Sequence, residues 1–376
     1  MTKAPSFYQR YLLPGLAFKA VVIGGGYATG RELIEFFMPA GPLGGVFGML
    51  LAMVIWSAVC IVSFALAHRL SAYDYRALLT AVLGPAWRLF EISYFLFLVL
   101  VLAVVSAAAG EIGAATFGLP RLVGTLLLMA SVATATSFGN DGVEGMFRYT
   151  SSILYAVYAI FLVLAVNKFG DLIPAQFASG ASMKGWAAGG VSYASYNVVA
   201  MIAVLPFIRH ITKTRDAVIA GALAGPLAML PALIFFASMM AFYPQIGAET
   251  LPSDFLLKRL NAPWFQILFQ VMIFCALLET GVGAVNALNA RIEGALVNRG
   301  GYSLKARFMV GAILLLGSGF AAVKFGLVTL IAKGYGALAY IMLAILVAPI
   351  MTVGLWKLIK RERSPSADRD GKEIKA

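Results

Sequence analysis

Apolar runs long enough to cross a bilayer follow one another almost from end to end of this chain. A crossing helix needs about 20 consecutive apolar residues. Inside lipid every backbone polar group must find its partner within the protein, so such runs are read as helices. The charge content decides against a soluble alternative. Charged residues make up 12% of the chain and hydrophobic residues 61%, whereas a soluble domain carries roughly twice that share of charge. The expected product is an all-α integral membrane protein of about ten spans. These are placed at 17–38, 43–67, 87–113, 119–138, 143–166, 187–208, 217–242, 263–287, 306–323 and 326–356. The last is longer than a bilayer requires, and Lys333-Gly334-Tyr335-Gly336 marks an irregularity within it. A membrane domain over 1–360 leaves a charged segment at 361–376, RERSPSADRDGKEIKA, read as a disordered cytoplasmic tail.

The formal net charge is +12. In a soluble protein that excess points to nucleic acid. Here the charges sit at span ends, so the expected partner is the lipid bilayer and not a nucleic acid. Lysine and arginine concentrate in alternate connections, among them Arg10, Arg69, Arg76, Arg209, Lys213, Arg215, Arg291 and Lys305. That asymmetry places both termini on the cytoplasmic side of the cell membrane. The first apolar run holds Arg31, Glu32 and Glu35 and is read as a span, not a cleaved leader. Cys60 and Cys275 fall inside spans and are read as buried thiols, with no disulfide between them. Ser71–Leu83, SAYDYRALLTAVL, has the pattern of a short amphipathic helix on the membrane surface.

The first span contains Ile23-Gly24-Gly25-Gly26-Tyr27-Ala28-Thr29-Gly30-Arg31-Glu32. Each glycine costs a helix about 1 kcal/mol relative to alanine, so three in a row invite unwinding. Unwound backbone at membrane depth survives only where it is buried in protein or lines a wet cavity. Its free carbonyls then suit a cation, and the N–H groups opening the next half-helix suit a carboxylate. Close helix packing through small residues is the competing account, and the charges of Arg31 and Glu32 next to the glycines count against it. The sixth span carries a similar interruption, Gly189-Gly190-Val191-Ser192-Tyr193-Ala194-Ser195-Tyr196-Asn197. Five spans separate the two, so halves of five helices would lie in opposite orientation. Paired interruptions of this kind are the sequence mark of a transporter's binding site.

Two further positions stand out. Glu279-Thr280 places a carboxylate in the apolar eighth span, a functional candidate by default, suited to a sodium ion or to a proton. Lys333 in the tenth span could pair with Glu35 or Glu32 as an outer gate or titrate as part of proton coupling, and snorkelling to the surface is the competing reading. His68 and His210 sit at span ends and form no metal-binding pattern. There is no GxxxxGK[ST] phosphate loop and no nucleophile with an evident base, so neither ATP-driven transport nor an enzyme is expected.

The order of elements, with broken spans one and six, a surface helix between spans two and three and a polar eighth span, resembles the LeuT-like fold of the amino acid–polyamine–organocation superfamily. More narrowly, IGGGYATGRELIEFF and SYNVVAMIAVLP resemble the YkvI family of bacterial membrane proteins. The resemblance implies a 5+5 inverted repeat, about 15–167 and 185–358. It implies a mobile bundle of spans one, two, six and seven, a scaffold of three, four, eight and nine, and arms from five and ten. A sodium site would correspond to Gly24, Tyr27, Glu279 and Thr280. Sodium-coupled members typically carry paired hydroxyls on the eighth span, and Glu279 beside Thr280 departs from that, leaving proton coupling open. The expected function is a symporting secondary transporter of a small amine-bearing or zwitterionic solute, such as an amino acid. Gly25, Gly26 and Tyr27 would line the solute site, and the amides of Ala28, Thr29 and Gly30 would hold its carboxylate. Tyr193, Ser195, Tyr196 and Asn197 would contact its other end, and Arg31, Glu32, Glu35 and Lys333 would gate the site. No cofactor is expected beyond a bound sodium ion. The alternative is a non-transporting nutrient receptor on the same scaffold.

Overall fold

The computed structural model describes residues 5–137, 140–296 and 303–360, so the expected tail lies outside the described residues. The chain is helical throughout those residues. The first span comprises α1 (Leu13–Val22), α2 (Gly25–Thr29) and α3 (Arg31–Phe37). The second is α4 (Gly41–Leu70), followed by the surface helix α5 (Tyr75–Leu83), whose Asp74 cap accepts the Ala77 N–H. Spans three to five are α6 (Trp87–Phe117), α7 (Arg121–Ser137) and α8 (Asn140–Phe169), and the short α9 (Ile173–Phe177) leads on from the fifth. The sixth span joins α10 (Trp186–Asn197) to α11 (Met201–Val204) through 3₁₀ turns, and the seventh is α12 (Thr214–Met240). A loop helix, α13 (Pro252–Leu260), precedes the eighth span, α14 (Pro263–Leu296). The ninth span is most of α15 (Leu304–Thr329). The tenth contains α16 (Gly336–Met342) and α17 (Leu355–Ile359), separated by π-helical turns.

Seven helical runs among the described residues are individually long and apolar enough to cross a membrane. The last of these, Lys305–Ile359, has 55 residues. At about 1.5 Å per residue that is more than twice a bilayer core, so it must turn back. It does so at Gly326, whose φ of 71° is open to glycine at little cost. The fourth span is shorter, and the first fails the length test only because it is broken.

Close approach through small residues holds the bundle together. A Cβ added to Gly221 would overlap the backbone of Cys60 and Ile61, and one added to Gly225 would overlap the Met53 carbonyl. These positions form a GxxxG step on α12 against α4, the arrangement that lets membrane helices gain packing contacts where the hydrophobic effect offers none. Helices α1, α4, α10 and α12 pack on one another as one group, and α6, α7, α14 and α15 as a second. The fifth span, α8, touches α12 of the first group and α14 of the second. The tenth touches α10 and α6.

The sixth span is interrupted, but not at its glycines. α10 runs unbroken through Gly189, Gly190 and Asn197, and the 3₁₀ segments follow at Val198–Ala200 and Leu205–His210. The glycines serve contact instead. A Cβ on Gly189 would overlap the Phe36 carbonyl, and one on Gly190 the Gly48 carbonyl. In the tenth span the irregularity expected at Lys333–Gly336 is a π-helical turn, Leu330–Tyr335.

Candidate functional site

The first span breaks twice. Ile23 (φ −78°, ψ 69°) and Gly24 (φ −93°, ψ −173°) end α1, and after a single turn Gly30 enters the left-handed region at φ 80°. Thr29 stitches that turn, its hydroxyl donating to the Gly26 carbonyl at 2.8 Å. The second break re-aims α3 so that Glu32 folds back over the turn it has just left. Glu32 Oε1 occupies the space where a Cβ on Gly26 would stand, and Oε2 accepts the Tyr196 hydroxyl at 2.8 Å. One carboxyl thus ties the break in the first span to the end of α10. Tyr196 is in turn stacked on Tyr335 of the tenth span, with ring centroids 4.6 Å apart and planes inclined by 22°.

A cavity of about 390 Å³ opens beside this carboxyl, within the range of sites that enclose small molecules. Its polar lining is Glu32, Tyr94, Tyr196, Asn197, Glu279, Thr280 and Tyr335. Ala20–Gly24, Gly26, Phe97 and the small residues Ala276, Gly283 and Ala284 form the remaining walls that matter here. These positions belong to the C-terminal end of α1, to α2 and α3, to the first half of α6, to the end of α10 in mid-span six, to the middle of α14 and to the π-helical turn of the tenth span.

Beyond the second break lies a separate polar cluster. The Arg31 guanidinium donates to the carbonyls of Gly247 (3.1 Å) and Glu249 (3.0 Å) in the loop before α13, and pairs with Glu35 at 2.7 Å. A smaller pocket of about 270 Å³ lies there, lined by Arg31, Ile34, Glu35, Met38 and residues of the 243–247 loop.

Of the residues singled out in the sequence, the cavity brings together Gly24, Gly26, Glu32, Tyr196, Asn197, Glu279 and Thr280. Gly24 faces Thr280: a Cβ at Gly24 would stand 3.5 Å from Thr280 Oγ1. Other expectations need correcting. The amides of Ala28 and Gly30 are already bonded, to Gly24 O and Tyr27 O at 3.0 Å each, so neither is open to a solute carboxylate. Gly25 opens α2; Ala28, Thr29, Tyr27 and Tyr193 are buried behind the cavity wall, and the Ser195 hydroxyl is turned back to Val191 O at 2.6 Å. Lys333 is exposed on the outside of the bundle, while Glu35 pairs with Arg31 and Glu32 with Tyr196, so the expected Lys333 pairing is not made. The π-helical turn that contains Lys333 turns Tyr335, not the lysine, toward the cavity. Tyr94, Phe97 and Tyr335 were not anticipated as lining residues, since an aromatic side chain in an apolar span carries no sign of which face it serves.

No family model matches the chain. A membrane protein of Bacillus subtilis strain 168, YkvI, is 23% identical over 339 residues, covering 88% of this chain and 92% of that protein. Among solved structures, MhsT in complex with L-phenylalanine superposes with a TM-score of 0.59 at 13% identity, covering 94% of this chain and 97% of MhsT. A sodium-coupled sialic acid symporter, solved substrate-bound and outward-open, gives 0.63 at 14% identity, covering 89% and 78%. The fold is LeuT-like. This is a multi-pass membrane protein whose central cavity sits at the broken first span of that fold.

Proposed function

We propose that this chain is a secondary active transporter of a small amine-bearing or zwitterionic solute, working by alternating access in the cell membrane with both termini cytoplasmic. The observation that supports this most is the asymmetry around Glu32. A cavity of ligand size lies beside the first break, and beyond the second break Arg31 ties α3 to the loop before α13. Such an arrangement is one of the two states an alternating-access protein must visit. The LeuT-like neighbours point the same way: one holds L-phenylalanine and another is a sodium-coupled symporter. The proposed inverted repeats, about 15–167 and 185–358, would supply the two conformations by rocking one helix group against the other.

Coupling is assigned to the contact between the first and eighth spans. Glu279 and Thr280 face the cavity beside Gly24. The donors there are all oxygens: a carboxylate, a hydroxyl that retains acceptor capacity while donating to Ala276 O at 2.9 Å, and backbone carbonyls near the break. That set fits a hard cation such as sodium, and the carboxylate equally suits a proton. Glu279→Gln is expected to lower solute affinity by about tenfold and to change its sodium or pH dependence. The measurement is solute affinity of the purified protein across a sodium and pH series, and unchanged coupling would remove Glu279 from the mechanism.

A receptor on the same scaffold would bind without moving its ligand. Flux of labelled solute into proteoliposomes separates the two readings. Concentrative uptake driven by an imposed sodium or proton gradient is the expected result; saturable binding with no uptake is what a receptor would give.

A further inference from the structure

The cavity's charges are of one sign. Glu32 and Glu279 both line it, and among the described residues no lysine, arginine or histidine does. Glu32 is 5% exposed. Its described partner is a neutral hydroxyl, that of Tyr196. Two cations beside lining residues, Arg31 next to Glu32 and Arg291 over Tyr94, are held in other contacts. Arg31 serves the outer clamp through Glu35 and the carbonyls of Gly247 and Glu249. Arg291 is held by Glu91 at 2.9 Å and lies over the rings of Tyr75 and Tyr94.

Three amides around the two breaks are already bonded. The amides of Gly24, Ala28 and Gly30 donate to Val22 O, Gly24 O and Tyr27 O. The mouth of the α2 turn, where a solute carboxylate was expected, is filled by the chain's own carboxyl, Glu32 Oε1 against Gly26. A solute carboxylate entering there would meet Glu32 without a counter-charge, and like charges in a water-poor site repel strongly. The aromatic lining favours the opposite sign. Tyr196 and Tyr335 form a stacked pair beside Glu32, and Phe97 also lines the cavity. Ring faces attract ammonium groups, the more so when the cation is desolvated.

We propose that the cavity recognises its solute through an ammonium group alone, so that the bound species is a small organic amine carrying no carboxylate. Glu32 is the group that selects it, with the rings of Tyr196 and Tyr335 as its cage. This rests on the reading that the central cavity is the solute site, and it narrows the solute from amine-bearing or zwitterionic to cationic.

The test uses two matched sets of probes on the purified full-length protein, with affinity measured by calorimetry or thermal shift. One set is phenethylamine, phenylalanine and 3-phenylpropionate; the other is isoamylamine, leucine and 4-methylpentanoate. Within each set only the charged groups differ. The expected result is that at least one amine binds at least about tenfold more tightly than its amino acid, and that neither acid binds. Glu32→Gln keeps the shape of the side chain and its acceptor oxygen, and is expected to abolish the amine's advantage. Tyr196→Phe, which removes the hydroxyl and keeps the ring, is expected to weaken the amine less than Glu32→Gln does. Equal or tighter binding of either amino acid, an amine affinity untouched by Glu32→Gln, or no binding by any of the six probes would overturn the proposal. Amine binding without flux would leave this recognition intact and sink the transporter reading instead, so the two failures are distinct.

Discussion

Gly26→Ala is expected to leave the protein folded and to abolish the uptake proposed for it. The added methyl would occupy the space held by Glu32 Oε1, and Glu32 Cδ is also within 3 Å of it. The colliding group is the end of a flexible side chain, so the backbone need not move. Glu32 must swing away, and in doing so it loses the Tyr196 hydroxyl and leaves the cavity wall. Misplacing a group that orients a ligand by about 1 Å costs on the order of a hundredfold in rate, and uptake in proteoliposomes is expected to fall by at least that factor. The thermal midpoint is expected to stay close to that of the unsubstituted protein. Gly283→Ala is the matched comparison. Gly283 also lines the cavity, and a Cβ there meets nothing within 4 Å, so its uptake is expected to be largely retained. Equal uptake in the two variants would mean that Glu32 does not need its place over the break.

Gly225→Ala has the opposite character. Its Cβ would overlap the Met53 carbonyl and the Ser57 hydroxyl, and the neighbouring step, Gly221, abuts the backbone of Cys60 and Ile61. Backbone has nowhere to retreat without parting α12 from α4. Inserting a methyl into a close-packed interior typically costs about 1–3 kcal/mol, and a backbone collision lies at or above the top of that range. The expected result is a large fall in the thermal midpoint of the detergent-solubilised protein, and larger still for Gly221→Ala combined with Gly225→Ala. Gly317→Ala, whose Cβ would stand in open space, is expected to leave the midpoint unchanged. A midpoint for Gly225→Ala equal to that of Gly317→Ala would contradict the close contact of α4 and α12.

The contrast among glycines explains what the sequence made legible. Gly24-Gly25-Gly26 beside Arg31 and Glu32 marked a break because charge and helix-breaking residues coincided at membrane depth, and the break lies at Ile23–Gly24. Gly189-Gly190 carries nearly the same local pattern, yet there the missing side chains let α10 touch the carbonyls of Phe36 and Gly48, and the helix loosens only after Asn197. A glycine required by unwinding and one required by close approach look alike until the neighbouring helix is in place. The second break, at Gly30, passed unnoticed for a related reason: a left-handed residue between two helical turns has no composition of its own. It is nevertheless the feature that turns Glu32 from an outer gate residue into the wall of the cavity. For Lys333 the sequence left the choice open. A cation in an apolar span allowed either a partner within the bundle or a place at the surface, and Lys333 is exposed while Tyr335, in the same π-helical turn, lines the cavity.

Alternating access requires that opening one side closes the other, and the Arg31 clamp gives a way to force that exchange without knowing the solute. In a chain with Cys60→Ala and Cys275→Ala, single cysteines are placed at Ile34, in the outer pocket, and at Ala203, in the cavity wall. Labelling by a membrane-impermeant thiol reagent is then compared with and without Arg31→Ala, from each side of the membrane. Loss of the bonds to Gly247 and Glu249 is predicted to raise labelling at Ile34→Cys and to lower it at Ala203→Cys, each by at least about threefold. A rise at both positions together, as in a continuous pore, or no change at either, as in a fixed receptor, would contradict it.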